Sequence, residues 1–237
     1  MVSTFLAGCA TSSSGPDGGF SPTGFSLALL VTGDHPEAAS EELSQRQFEF
    51  MEDLAAEGKL LLAGPFGPDK HRADLHGLFI LDESDPELAR ALVGQDPRAL
   101  AGDLRHEVFP MTTLDVIRHL PEVEQRRQER RASRGVSPDQ PDVHAYTVLM
   151  APKGEKVAEE VFSNPAIGEV VVLLARMGAP REGELFAILD VPTANEARAR
   201  LSVANTSELE VQVSEWYSSP ALVELVADGG AAVDLVR

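Results

Sequence analysis

A single cysteine, Cys9, excludes an internal disulfide and a four-thiolate metal site. Large aromatics are scarce, with one Trp and two Tyr, so Trp216 and Tyr217 near the end of the chain are read as core filling ahead of a stacking surface. Positive charge is short: 20 Lys and Arg stand against 38 Asp and Glu. The resulting net charge of −18 repels a phosphate backbone and argues against nucleic-acid binding. No apolar run approaches the roughly 20 residues a membrane-spanning helix needs. Also missing are a Gly-x-Ser-x-Gly elbow, a phosphate-cradling glycine loop, a dinucleotide fingerprint and a His-Glu-x-x-His helix, so ordinary hydrolase, nucleotide and zinc-protease readings have no support. What is present is a chain of 237 residues, 43% hydrophobic and 24% charged, enough for one large domain or two small ones, each with a core.

Residues 1–23 read as a signal remnant and tether. Leu6-Ala7-Gly8-Cys9 resembles a bacterial lipoprotein processing site, and the Ser/Gly-rich stretch after it suits a flexible spacer. The resemblance implies a lipidated Cys9, a membrane contact through it, and a place in the cell envelope facing the periplasm or exterior. Met1 to Gly8 lacks the Lys or Arg of a secretory signal. The alternative is a frayed tail with an incidental Cys9 on a cytoplasmic protein.

From residue 24 the pattern is strand (25–32), amphipathic helix (36–57, ended by Gly58), strand (60–63), strand (78–81), helix (85–93) and strand (107–111). This βαββαβ order suits a ferredoxin-like unit over residues 24–120. It recurs over 143–228: strand 146–150, helix 153–162, strands 170–175 and 185–189, helix 194–201 and strand 209–217, with a tail at 229–237. Internal duplication is the simplest account. The expected fold class is therefore α+β, two ferredoxin-like units packed as an intramolecular pseudo-dimer. Between them, 121–142 is an Arg-rich linker read as a solvated helix, or else as a contact for anionic lipid or for an acidic face of the same protein.

Leu43, Gln47, Phe50, Met51 and Leu54 fall on one face of the first helix, which puts an amide in an apolar stripe. A buried Gln left without partners costs about 1–3 kcal/mol, so a partner is expected. Asp96, in the Gln95-Asp96-Pro97 turn, is the candidate, because Pro97 keeps Asp96 out of helical geometry; an ordinary helix cap is the alternative role.

The stretches Arg46-Gln47-Phe48-Glu49-Phe50-Met51, Glu57-Gly58-Lys59-Leu60-Leu61-Leu62-Ala63-Gly64-Pro65, Gly77-Leu78-Phe79-Ile80-Leu81 and Asp96-Pro97 together resemble the YCII-related (YciI-like) family over about Phe25 to Asp115. The second half looks like a degenerate copy. The resemblance implies a dimeric α+β barrel and a His/Asp acid/base pair in a cleft, one relative being a dehydrochlorinase acting on a chlorinated aromatic diol. The family Asp falls on Asp96, but the family His falls on Gln47. An imidazole can accept and donate protons near neutral pH, whereas a carboxamide only orients. The corresponding turn of the second half, Ala204-Asn205-Thr206, carries no such pair either.

The functional expectation is therefore binding of a small ligand or partner without acid/base catalysis. The alternatives are an enzyme of lyase, dehydrochlorinase-like or hydrolase type using Asp96 with Gln47 orienting the substrate, and a structural envelope protein whose acidic surface meets a cationic partner. No cofactor or metal is expected. The loop Asp69 to His76, with two His and two Asp, is read as a mobile solvated loop ahead of a metal site, and His35, His106, His119 and His144 as surface residues.

Overall fold

A computed structural model describes residues 21–137, 140, 142–152, 164–203 and 210–227. The first half runs β1 (Pro22–Thr32), α1 (Glu41–Ala56), β2 (Leu60–Pro65), β3 (Leu75–Leu81), α2 (Pro86–Val93), α3 (Pro97–Leu100) and β4 (Leu104–Leu114). The helix expected from residue 36 is split, because Ser40 is extended and its side chain accepts the Leu43 N–H, starting α1 afresh after a short 3-10 turn at Pro36–Ala38. Gly58, at φ 71°, ends it in the left-handed conformation that a glycine adopts without strain.

The linker contains α4 (Leu120–Ser133). The second half supplies β5 (His144–Ala151), α5 (Pro165–Gly168), β6 (Val171–Met177), β7 (Leu185–Leu189), α6 (Ala194–Val203), β8 (Gln212–Ser218) and α7 (Ala221–Ala227). The expected helix at 153–162 and the Ala204-Asn205-Thr206 turn lie outside the described residues, as does Cys9.

All eight strands form one sheet in the order β2-β3-β1-β4-β6-β7-β5-β8, with antiparallel neighbours. Each half has the same internal order, its second strand at one edge and its fourth at the other. β4 joins β6 through Met111 and Thr112. The outer edges, β2 and β8, come back together: Phe66 bridges Trp216, Trp216 Nε1 donates to Gly64 O at 2.9 Å, and Ser218 Oγ donates to Ala63 O at 2.7 Å. The result is a mixed α/β protein whose antiparallel sheet is nearly closed like a barrel.

Strand alternation divides the core. Phe25, Leu27, Leu29 and Val31 of β1 point inward and share one cluster with Tyr146, Val148, Met150, Phe186 and Trp216. Ala28 and Leu30 point outward, under α1 and α2, with Leu54, Phe79, Val93 and Leu104. Both faces of β1 are thus covered, which explains its nearly unbroken apolar sequence.

The linker helix is not simply solvated. α4 contributes Leu120 and Val123 to the barrel cluster, and Arg127 is buried, contacting Glu224 of α7 at 3.1 Å, Glu124 at 3.4 Å, and Asp142. The Arg-rich stretch therefore meets acids of the same chain. The 69–76 loop is likewise pinned: Asp69 pairs with Arg198 at 2.6 Å, His71 Nδ1 lies 2.7 Å from Ser214 Oγ, and Arg72 holds both Asp74 and Glu107. Its two acids and Arg72 pair with one another, with Glu107 of β4 or with the second half, which ties the loop down.

Candidate functional site

Asp96 stands between α2 and α3, fully buried, with both carboxylate oxygens occupied. Oδ1 caps α3 by accepting the Arg98 N–H at 2.8 Å. Oδ2 accepts from Gln47 Nε2 at 2.7 Å. The amide of α1 and the carboxylate of the Asp-Pro turn thus meet, and the capping role coexists with that contact on the other oxygen.

A third group was not visible in the sequence reading. His106 belongs to β4, not to a surface segment before it. It alternates with Leu104 and Val108 on the outward face, beneath the helices, and its side chain is only 5% exposed. Its Nε2 lies 3.2 Å from Asp96 Oδ2, off the line of a well-aligned hydrogen bond. Its ring sits 5.9 Å from that of Phe79. The expectation that no imidazole attends Asp96 is thereby corrected. Strand period was the available signal: a strand extended back to Leu104 would put residue 106 on the covered face.

Burial by itself would raise the Asp96 pKa. The contacts from the His106 imidazole, the Gln47 amide and the Arg98 N–H outweigh it and hold the carboxyl below the ordinary range. A carboxylate with no exposure, a donor on each oxygen and an imidazole beside it is a brace between α1, α3 and β4.

A cleft of about 560 Å³ opens beside this brace. Its apolar walls come from Phe48 and Met51 of α1 and Leu60 to Leu62 of β2. Gln47, Arg98 and His76 are the polar groups next to the brace, and Tyr217, Ser219 and Val143 line it from the second half and the linker. Phe48 and Val143 are 52% and 59% exposed, unusual for large apolar groups. Neither Asp96 nor His106 lines this cleft. His106 instead borders a separate groove of about 380 Å³ with Arg90 and Arg105.

His76 Nε2 is 2.9 Å from Thr32 Oγ1. Burial, reinforced by Lys70 and Arg98, lowers its pKa and favours the neutral ring. Arg98 bonds Asp103 through Nε and leans on Gln47 Oε1 through Nη1 at 3.5 Å. Sequence reading missed Arg98, because an arginine in a first helical turn is ordinary until its neighbours are known. Among the remaining histidines, His35 and His119 are exposed beside Glu37 and Glu122, and His144 is half-buried, 2.6 Å from Asp190. Trp216 is wholly buried, while Tyr217 reaches the cleft. Among the described residues, no three His, Cys, Asp or Glu side chains converge as a metal site, and no helix is long and apolar enough to cross a membrane.

No curated protein matches the chain in sequence. Residues 27–112, from the middle of β1 to late in β4, match the YCII-related domain. Gln47, Asp96, Arg98 and His106 all lie inside this YCII-related stretch of residues 27–112.

Proposed function

We propose that the protein binds a small, largely apolar ligand in the 560 Å³ cleft and performs no acid/base chemistry through Asp96. The observation that carries this reading is the separation of the two features. The cleft has the volume and apolar lining of a ligand site, while Asp96 is buried away from it with a donor on each oxygen. Burial of Asp96 away from the cleft, and not the lack of an imidazole, supports this, since His106 supplies one.

The neutral fluorescent probe N-phenylnaphthylamine tests it. The probe brightens on binding, and Phe48→Ser weakens its affinity by about tenfold, the effect of losing one large apolar contact. A probe that fails to bind, or binds Phe48→Ser equally well, contradicts the reading.

The 3.2 Å approach of His106 to Asp96 favours a second reading, in which this pair transfers protons to a substrate in the 380 Å³ groove. It requires a turnover lost in both His106→Gln and Asp96→Asn.

In the same account the two halves are a tandem duplication with a degenerate second copy, packed as an intramolecular pseudo-dimer; their shared strand order supports this. Cys9 is the lipid attachment point of an envelope protein, supported by the Leu-Ala-Gly-Cys motif and its Ser/Gly tether. Mass spectrometry of the mature amino terminus tests the anchor, with an unmodified Cys9 as the contrary result.

A further inference from the structure

We propose that the cleft's ligand is a monocarboxylate with an apolar body, its carboxylate seated on the Nη1–Nη2 edge of Arg98. This rests on the cleft being a ligand site.

Elsewhere in this fold arginines are held by pairs of acids. Arg72 holds two carboxylates at once, Asp74 through Nε and Nη2 and Glu107 through Nη1 and Nη2. Arg127 likewise takes Glu224 on Nη1 and Asp142 on Nη2. A planar guanidinium has two edges suited to carboxylate oxygens; Arg72 fills both, and Arg127 takes two separate acids on its Nη1–Nη2 edge.

Arg98 is half filled. Nearly buried Asp103 takes its Nε edge, fixing the plane of the group. On the other edge, Nη1 has only the long 3.5 Å contact to Gln47 Oε1, and Nη2 makes no hydrogen bond among the described residues. That edge belongs to a side chain lining the cleft, so a carboxylate from a ligand would complete the pattern that Asp74 and Glu107 complete at Arg72.

The surroundings suit such a group. Gln47 is locked, its amide N–H₂ turned to Asp96 and its oxygen toward Arg98. Of the acids lining the cleft, Asp142 is already held by Arg127 and Arg131, which leaves Glu52, on the outer side of α1, as the other. From Arg98 the walls continue as Phe48, Met51 and Leu60 to Leu62, which can take an aliphatic or aromatic body but no second charge.

Decanoate and decanamide, matched in length and shape and differing in charge, provide the test by displacing bound N-phenylnaphthylamine from the full chain. Decanoate is expected to displace the probe at about tenfold lower concentration. Converting the ion pair to neutral amides, with Arg98→Gln and Asp103→Asn together, is expected to abolish that advantage, so that decanoate and decanamide displace the probe at the same concentration. Equal displacement by the two, displacement by neither, or an advantage that survives in the folded double variant overturns the proposal. The wild-type comparison decides alone if the double variant does not fold: an advantage below about twofold overturns it. Failure of the probe itself to bind removes the ligand-site reading beneath it, which separates the two outcomes.

Discussion

Gln47 Nε2 and Asp96 Oδ2 stand 2.7 Å apart across 49 positions of sequence, joining α1 to the turn before α3. Because both groups are buried, the amide is the donor this carboxylate was built around. Gln47→Ala is expected to lower stability by about 1–3 kcal/mol by leaving one oxygen short of a donor. Gln47→Glu sets a second carboxylate against Asp96, so at pH 7 it is expected to cost more than the alanine variant, with the difference shrinking toward pH 5 as the pair takes up a proton. Urea unfolding at the two pH values measures this; a glutamate variant as stable as wild type at pH 7 contradicts the brace.

Stability should fall on mild acidification because of His71 and His76. Both pKa values are lowered, chiefly by burial, so the folded state resists the proton that the unfolded chain accepts near 6.5. The unfolded state gains protons first, and stability is lost as pH drops from about 6.5 toward the folded values. Replacing both with Gln is expected to flatten urea-derived stability between pH 7.5 and 5.5. Asp74, Asp96 and Glu107 are also lowered. Their stabilisation is present above the ordinary carboxylate pKa and is lost only below about pH 4.5, outside that window. An unchanged slope in the double variant contradicts the assignment.

The barrel's seam depends on Gly64. A Cβ there would lie 1.8 Å from the Tyr217 carbonyl oxygen, closer than any side chain tolerates. Gly64→Ala is expected to push β2 from β8, breaking the bonds from Trp216 and Ser218 and costing about 2–4 kcal/mol. The fluorescence of Trp216, the sole tryptophan, reports the change directly; an unshifted emission with unaltered stability would mean the seam is not needed.

Arg127 ties the linker helix to α7 and to Asp142 at the cleft wall. Arg127→Met should cost about 1–3 kcal/mol, held down because its acidic partners stay partly solvated. Faster amide exchange confined to α4 and α7 would accompany it, and unchanged exchange there would contradict the tie.

The succession of strands along the chain, and the helices at 41–56, 86–93 and 194–203, were legible because the apolar periods are strong: β1, β3 and β7 are apolar runs, and Gly58 marks the end of α1. The amide-to-carboxylate contact was legible too, since a Gln in an apolar stripe demands a partner. His106 was not, because β4 begins three residues earlier than its apolar core suggests, and one shift in where a strand starts changes whether a side chain is counted as covered. The pinned 69–76 loop was equally hidden: its partners Ser214 and Arg198 are more than 120 residues away, and no local pattern announces them. The cleft itself belongs to the closing of the sheet, which brings Tyr217 beside β2.

Amide chemical-shift mapping with N-phenylnaphthylamine distinguishes the cleft beside Phe48 from the groove beside His106. Shifts are expected to centre on Phe48, Met51, Leu61 and Tyr217, with Arg105 and His106 undisturbed. Shifts centred on Arg105 and His106, or none at all, would contradict the cleft as the ligand site.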